Sequence, residues 1–230
     1  MKLRRRLFTV SALALATAGL AIGNVAAAPL GPVGTTPATG TPALDSSNTS
    51  QNIRQLVQCG STMYAVGTVS RITQKGVAYN RTGAFSFSAT APFTLTSWAP
   101  NIDGTVNSIG FVNGDCSSAY IGGKFTTVNG TAASNLAKIS TSTGNVDATF
   151  THSAGSQVAT VLGWNGHVFV GGYFKKVNGN TNAYYASLSP TTGNDDGYIS
   201  LNISGNYQFP GVGSNPTRVY NQQLSHSGNK

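Results

Sequence analysis

The chain has 230 residues, of which 40% are apolar and only 9% are charged, so it can bury a sizeable core and is not disordered throughout. Its formal charge of +8 includes four basic residues among the first six positions, and the ten other basic residues are scattered rather than clustered. This distribution excludes the basic stripe with which proteins bind nucleic acids.

The first 27 residues have the pattern of a secretory signal peptide. Lys2 and three arginines precede an uncharged apolar run at 7–22, and small residues follow as far as Ala28. The alternative is a membrane anchor, but this run is shorter than the ~20 residues that a spanning helix needs. We therefore predict Sec-type export, cleavage after Ala27, an extracellular location and no membrane span after processing.

Residues 28–52 are rich in Pro, Thr, Ser and Gly and lack the alternation of apolar and polar residues that is typical of strands. This composition predicts a linker or disordered arm. From residue 53 to residue 230, short apolar segments alternate with turn residues about every eight to twelve positions. That pattern indicates an all-β domain.

An internal repeat organises this domain. The sequence YIGGKFTTVNG at 120–130 returns as FVGGYFKKVNG at 169–179, and Thr-Gly-Asn recurs at 143–145 and at 192–194. A weaker copy, YAVGTVSRI at 64–72, has lost one glycine of the pair. Whole units therefore repeat, with approximate limits of 53–103, 104–155, 156–210 and a partial unit at 217–230.

Each unit divides into four segments with strand character. The clearest sign lies in the third unit, where Asn165-Gly166 separates two apolar runs, because this pair favours the two-residue turn of a β-hairpin. The predicted strands are 53–58, 63–66, 76–80 and 84–89 in the first unit, 106–112, 119–122, 135–140 and 145–150 in the second, and 158–164, 167–170, 183–188 and 198–203 in the third.

Four antiparallel strands that recur about every 50 residues are typical of a β-propeller blade. We predict a β-propeller of four-stranded antiparallel blades, with about three blades and the start of a fourth at 217–224. A closed ring needs about four to eight blades, so this ring is expected to be incomplete or truncated. Its open blade edges, above all 217–224, are expected to cause self-association.

The glycine pair of the motif is expected where a strand enters a crowded place and needs backbone without a Cβ atom. The phenylalanine two positions after the pair is expected to anchor the next loop in the apolar layer between units. The motif residues to which these structural roles are assigned are Gly122, Gly123, Phe125, Gly171, Gly172 and Phe174.

The motif, with SNLAKISTSTGNVD after it, resembles the delta-sixty β-propeller repeat of secreted bacterial proteins and, more distantly, the diglycine of kelch repeats. The resemblance covers residue 53 to the C-terminus and is most specific in the second and third units. It implies a propeller fold and an extracellular location, and no general catalytic activity. The family motif usually has Asp after the glycine pair, whereas this chain has Lys124 and Tyr173, so the role of that acid is not expected here.

The chain has two cysteines, Cys59 and Cys116. An even count in an oxidising compartment favours a disulfide. Each cysteine lies in or beside the turn between the first two predicted strands of its unit, so we predict a bond that joins the first two units. The alternative is a pair of free thiols.

The sequence contains no recognisable catalytic pattern. The motif G-x-S-x-G and glutamate are both absent, and Asp195-Asp196 is interpreted as a solvated turn. Asp103 and Asp147 could hold Ca²⁺ with loop carbonyls, but capping of turns is the favoured interpretation, so no cofactor is predicted. The three histidines are isolated in the sequence: His152, His167 and His226.

Four aromatic side chains are candidates for stacking on sugar rings: Trp98, Trp164, Tyr184 and Tyr185. Trp98 aligns with Phe150 of the next unit and is expected in the core, and only one ring of the Tyr184-Tyr185 pair is expected to be exposed. We predict a secreted, non-catalytic module that binds an extracellular protein or glycan through loops on one rim. The alternative is an enzyme whose active site is completed by missing blades.

Overall fold

The computed structural model describes residues 37–151, 153–201, 203–209 and 211–224, and all the regular structure of these residues is β. They contain no helix with the length and apolarity to cross a membrane. The predicted signal peptide at 1–27 lies outside the described residues. The strands are β1 (Ala43–Leu44), β2 (Asn52–Cys59), β3 (Thr62–Thr68), β4 (Arg71–Gln74), β5 (Val77–Asn80), β6 (Ala84–Ser88), β7 (Thr105–Gly110), β8 (Ser118–Lys124), β9 (Thr127–Val128), β10 (Thr131–Ala132), β11 (Leu136–Ser140), β12 (Val158–Trp164), β13 (His167–Gly172), β14 (Tyr185–Leu188), β15 (Asn206–Phe209) and β16 (Val212–Pro216).

The strands form one three-stranded antiparallel sheet in each predicted unit, which we call the first, second and third main sheets. Their strand orders are β2-β3-β6, β7-β8-β11 and β12-β13-β14. The all-β prediction is therefore confirmed. The predicted hairpin turn is also present, since Asn165 and Gly166 have φ values of 49° and 79°.

The predicted third strand of the first unit, 76–80, does not belong to the first main sheet. It corresponds to β5, which pairs with β4, and β4 pairs in turn with β1. The third place in the first main sheet is taken by β6, which pairs with β3. The second unit has a shorter hairpin outside its main sheet, β9–β10, and the third unit has a single bridge between Val177 and Asn180, so the hairpin of the first unit is the longest of the three.

The described residues of the predicted fourth strands in the second and third units, 145–150 and 198–203, form no strand. Instead, each main sheet adds one isolated bridge after its third strand. In the second unit, a turn follows at 148–149, where the backbone N–H of Thr149 donates to the side chain of Asp147 at 2.9 Å. The three bridges join Phe87 to Leu95, Ile139 to Val146, and Leu188 to Asp195.

Each main sheet has an irregularity between its first two strands that lies opposite the glycine of the motif. The extra residues, which we call the bulge residues, are Arg54, Asn107 and Ala159. A Cβ atom on the facing glycine would meet the carbonyl oxygen two positions before the bulge residue. The distances are 2.0 Å (Gly67 to Asn52), 2.1 Å (Gly123 to Thr105) and 2.4 Å (Gly172 to Gln157). Backbone occupies this space in all three units, so the position requires glycine.

The other glycine of the pair faces the next part of the chain. A Cβ atom on Gly122 would lie 2.4 Å from Cγ1 of Val158, and one on Gly171 would lie 2.6 Å from Cγ1 of Val219. Side chains rather than backbone fill this space. The side chains that face this position can therefore differ from one unit to the next. This explains how the first unit accommodates Val66 at the equivalent position.

Hydrogen bonds join successive main sheets at equivalent places. The backbone N–H of Ile109 donates to Oε1 of Gln55 at 2.8 Å, and that of Val161 donates to Oγ of Ser108 at 2.9 Å. Gln55 and Ser108 each follow the bulge residue of their strand. The contact between the first and second main sheets is therefore repeated between the second and third.

Two apolar clusters lie between the main sheets, and each contains one phenylalanine of the motif. Phe125 lies with Val66 and Ile109 in the cluster between the first and second main sheets. Phe174 lies with Leu136 in the cluster between the second and third, and it is fully buried. Both phenylalanines thus pack in the interior rather than facing a ligand.

The asparagine of the motif connects its loop to the Thr-Gly-Asn turn. Asn129 and Asn178 have φ values of 49° and 47°. The amide of Asn129 donates to the carbonyl of Gly144 at 3.1 Å, and that of Asn178 donates to the carbonyl of Gly193. The two parts of the repeat recur at the same spacing because they are in contact.

Additional segments lie against both ends of this arrangement. At the first main sheet, Ile72 of β4 lies in one apolar cluster with Ala65 and Phe85. β1 belongs to the segment predicted as a linker, so the folded part begins before residue 53. At the third main sheet, 217–224 form no strand, contrary to prediction, but the N–H of Val219 donates to the carbonyl of Gly172 at 3.2 Å. Self-association through 217–224 stays a prediction.

Cys59 and Cys116 form a disulfide, with their Cα atoms 5.7 Å apart. Cys59 is the last residue of β2, and Cys116 lies just before β8. The bond joins the first two main sheets, as the sequence predicts, and the described part of the chain contains no free thiol.

Candidate binding site

Aromatic side chains gather on one face of the third main sheet. The turn at Asn165-Gly166 places Trp164 directly opposite His167, and Leu162 lies opposite Phe169 in the same register. Because alternate residues of a strand share a face, His167 and Phe169 point to the same side of the sheet. The residues of this hairpin therefore present a continuous apolar surface.

This surface forms one wall of a cleft of about 240 Å³, which we call the aromatic cleft. The ring of Tyr198 lies 5.8 Å from that of Phe169 and 6.5 Å from that of Trp164. Tyr198 is 47% exposed, so its ring can be reached from solvent. The residues that line the aromatic cleft are Leu162, Trp164, Phe169, Tyr185, Tyr198, Ile199, Gln222, Gln223 and Leu224.

Tyr198 is held in place by a polar cluster beside the aromatic cleft. Its ring stacks on His167 with centroids 4.0 Å apart, and its backbone N–H donates to Asp196 at 3.1 Å. Asp196 also lies 2.6 Å from Nδ1 of His167 and accepts a hydrogen bond from Ser187 at 2.7 Å. Burial raises the pKa of Asp196, but the hydrogen bonds from His167 and Ser187 outweigh burial and lower the pKa. Asp196 is thus a fixed anion that orients Tyr198.

The two aspartates at 195 and 196 have different roles, which corrects their common interpretation as a solvated turn. Asp195 accepts hydrogen bonds from the side chain of Asn182 and the backbone of Gly197, as a turn residue does. Asp196 instead pairs with His167, and the side chain of Asp196 is only 17% exposed.

The opposite wall of the aromatic cleft comes from the segment 217–224. The side chain of Gln222 donates to the carbonyl of Phe169 at 3.0 Å and accepts from the hydroxyl of Tyr185 at 2.8 Å. Burial raises the pKa of Tyr185, so its hydroxyl remains a donor at neutral pH. Gln223 is exposed, and its amide can therefore form hydrogen bonds with a ligand.

The geometry of this cluster does not provide a nucleophile. The hydroxyl of Ser187 donates to Asp196, and among the described residues no hydroxyl or thiol forms a hydrogen bond with His167. A catalytic triad would require the histidine to activate such a group. What the aromatic cleft offers is an apolar platform with amides at its rim, which suits a ring with one apolar face and a polar edge.

The structure brings together Trp164 and Tyr185, two of the four aromatic candidates from the sequence. Trp98 is buried, as predicted, and its Nε1 donates to the carbonyl of Ser140 at 3.0 Å. Tyr184 is also buried, so one ring of the tyrosine pair is withdrawn from solvent. His152 and His226 lie outside the described residues.

Sequence reasoning missed Phe169, Tyr198 and Gln222 as members of this site. The alternation His167-Val168-Phe169 in a predicted strand could have placed Phe169 beside Trp164. No comparable signal marked Tyr198, which was assigned to a fourth strand, or Gln222.

Asp103 and Asp147, the candidates for Ca²⁺ binding, cap turns. The carboxylate of Asp103 accepts hydrogen bonds from the backbone N–H groups of Thr126 and Thr127 at 2.8 Å and 3.0 Å. Asp147 pairs with Lys138 at 2.8 Å. Within the described residues, no three His, Cys, Asp or Glu side chains form a group that could hold a metal ion.

The two capping carboxylates, Asp103 and Asp147, are expected to make the stability of the folded protein sensitive to acid. Burial raises the pKa of Asp103, but hydrogen bonds from the threonines outweigh it and hold the pKa at about 2, whereas the hydrogen bond from Lys138 lowers that of Asp147 to about 2. Because the folded state lowers both pKa values from 3.8, the stabilisation is present above pH ~4 and is lost as the pH falls towards ~2. Thermal unfolding at pH 7, 4, 3 and 2 should show this decline.

The matched variant for this experiment is Asp103→Asn, which keeps one acceptor but does not titrate. We expect it to be less stable than the native protein at pH 7 and to lose less stability between pH 4 and pH 2. An equal loss in both proteins would show that Asp103 does not contribute to the acid sensitivity.

Comparison of the chain with models of protein families, with curated proteins and with solved structures finds no match. The function is therefore inferred from the geometry of the chain itself.

Proposed function

We propose that the protein is a secreted, non-catalytic β-propeller module of about three blades that binds a neutral glycan in the aromatic cleft. The observation that carries the binding function is the exposed ring of Tyr198 beside the half-buried ring of Trp164, with Gln223 at the rim. Sugar rings have an apolar face that packs on aromatic rings and hydroxyls that bind amides.

The repetition of contacts between the main sheets supports the propeller assignment. In a propeller, blades of the same design stack side by side, so each contact between neighbouring blades recurs. The hydrogen bonds of Ile109 and Val161 recur in this way. Within single units, the pairing of Tyr64 with Trp98 and of Tyr120 with Phe150 also recurs, with ring centroids 5.2 Å and 5.5 Å apart.

The disulfide and the composition support an extracellular location. Disulfides persist in oxidising compartments and are rare in the cytosol. The Cys59–Cys116 bond joins the first two main sheets, and the sequence before them has the pattern of a signal peptide. A secreted binding module fits both features.

Glycan binding can be measured from tryptophan fluorescence. The chain has two tryptophans, and Trp98 is only 3% exposed, so a change on ligand addition reports on Trp164. We expect neutral oligosaccharides, with cellohexaose and chitohexaose as the first probes, to shift the emission in a saturable way. Tyr198→Ala should weaken the binding about tenfold or more, as expected for loss of an aromatic anchor.

The matched control is Tyr220→Ala. Tyr220 is 63% exposed but does not line the aromatic cleft, so its removal should leave oligosaccharide affinity unchanged. Equal effects of the two variants would contradict the assignment of this site. Release of new reducing ends during incubation with the oligosaccharide would contradict the non-catalytic assignment and favour the alternative of an enzyme.

A further inference from the structure

A second cleft lies where the first strands of the three main sheets meet. It has a volume of about 470 Å³ and shares no residue with the aromatic cleft. Its lining includes all three bulge residues. We call it the arginine cleft, and the residues that line it are Arg54, Asn107, Gln157, Ala159, Tyr173 and Tyr220.

The arginine cleft carries positive charge that no carboxylate among the described residues neutralises. Arg54 lines the cleft and is exposed. The guanidinium of Arg218 lies beside it, 4.5 Å from the centre of the Tyr173 ring and 3.2 Å from the hydroxyl of Tyr220. In the part of the chain that the structure describes, neither arginine forms an ion pair, and none of the lining residues is acidic.

Two polar atoms at this place are buried and have no hydrogen-bond partner among the described residues: Oδ1 of Asn107 and Nε of Arg218. The orientation of the Asn107 amide is fixed, because its Nδ2 donates to the carbonyl of Val158 at 2.7 Å. Its Oδ1 is therefore an acceptor. An unsatisfied buried polar group is costly, so a donor for Asn107 and an anion for Arg218 would both stabilise the folded protein.

We propose that the arginine cleft binds a carboxylate that carries neighbouring hydroxyl groups, as a uronic acid does, either free or as a residue of a polysaccharide. Arg54 and Arg218 hold the carboxylate, because a guanidinium matches a carboxylate with parallel N–H donors. Asn107 accepts a hydrogen bond from a hydroxyl of the ligand. This binding does not depend on the aromatic cleft or on the propeller assignment.

Calorimetric titration of the full chain with sodium glucuronate tests the proposal, with glucose as a neutral probe of the same ring size. We expect saturable binding of glucuronate and none of glucose. Inorganic sulfate separates a specific site from a general anion site. Binding of sulfate as tight as that of glucuronate would overturn the role of the hydroxyl groups, and absence of glucuronate binding would overturn the site.

Charge removal supplies the residue-level test. Arg54→Gln and Arg218→Gln should each weaken glucuronate binding about tenfold or more, since each removes charge-assisted hydrogen bonds to the carboxylate. Lys175→Gln removes an exposed charge outside the cleft and is the matched control. Equal losses in all three variants would contradict the site, because they would reflect net charge alone.

Two further experiments identify the source of the ligand and distinguish this site from the aromatic cleft. An oligomer of glucuronic acid that binds more tightly than the monosaccharide indicates a polysaccharide, whereas equal affinity indicates a free acid. Tyr198→Ala should leave glucuronate binding unchanged. Loss of glucuronate binding in that variant would place the ligand in the aromatic cleft and overturn the present assignment.

Discussion

Reduction of the Cys59–Cys116 disulfide is expected to lower the free energy of unfolding by about 4 kcal/mol, a value that follows from the loop-entropy relation for a loop of this length. The bond links residues that are 57 positions apart, so it restricts a long segment of the unfolded chain. In the folded protein it adds a covalent link to two main sheets that are otherwise joined by the hydrogen bond from Ile109 to Gln55 and by the apolar cluster around Phe125. Its loss should therefore loosen the first contact between sheets.

Urea denaturation of the native protein and of the Cys59→Ala/Cys116→Ala variant measures this effect. The variant should unfold at a lower urea concentration. Dithiothreitol should shift the midpoint of the native protein towards that of the variant and leave the variant unchanged. Equal midpoints for the native protein and the variant would show that the bond does not stabilise the fold. Titration of the denatured, unreduced native protein should find no free thiol.

The sequence predicts the first two strands of each main sheet well because the signals for them are local. Short apolar runs between turn residues define the strands, and Asn165-Gly166 defines the turn between β12 and β13. Because the units repeat, a strand recognised in one unit predicts the strand at the equivalent position in the next. These features depend on residues within about ten positions of one another, which is the range that pattern analysis covers.

The strand predictions fail where segments that are distant in the sequence pair with each other. The segment 76–80 has strand character, but it follows the turn at Lys75-Gly76, with φ values of 52° and 78°, and pairs with β4. That hairpin is completed by β1, which lies in a segment without strand character. Nothing in the local sequence reveals that Ala43 pairs with Thr73, so the extra sheet could not be predicted.

In the aromatic cleft, too, residues close in the sequence could be placed together, whereas residues brought in from distant segments could not. Trp164 and His167 were placed together by the predicted hairpin. Tyr198 reaches them only because Asp196 binds His167 and Ser187, and Gln222 reaches them across most of the third unit. Side chains brought together by such contacts have no common spacing in the sequence, so the aromatic cleft was only partly predictable.

Replacement of Gly123 by alanine is expected to lower the free energy of unfolding by about 3 kcal/mol, at the upper end of the usual effect of a single substitution. The added Cβ atom would lie 2.1 Å from the carbonyl oxygen of Thr105, which belongs to the backbone of the paired strand. A backbone atom cannot rotate away, so the two strands would have to separate at the bulge. The control is Gly155→Ala, where the nearest atom lies 3.4 Å away and the effect should be within about 0.5 kcal/mol.

The same substitution at equivalent positions tests whether the glycine has one role in all units. Gly67→Ala and Gly172→Ala would bring the Cβ atom to 2.0 Å and 2.4 Å from a backbone carbonyl, so urea denaturation should show losses similar to that of Gly123→Ala. Gly122→Ala would instead bring the Cβ atom to 2.4 Å from Cγ1 of Val158 in the next unit, and because this valine is fully buried and stiff, a loss of stability is expected there too. If Gly122→Ala were the more damaging change, contact between sheets rather than the bulge would determine the need for the glycine pair.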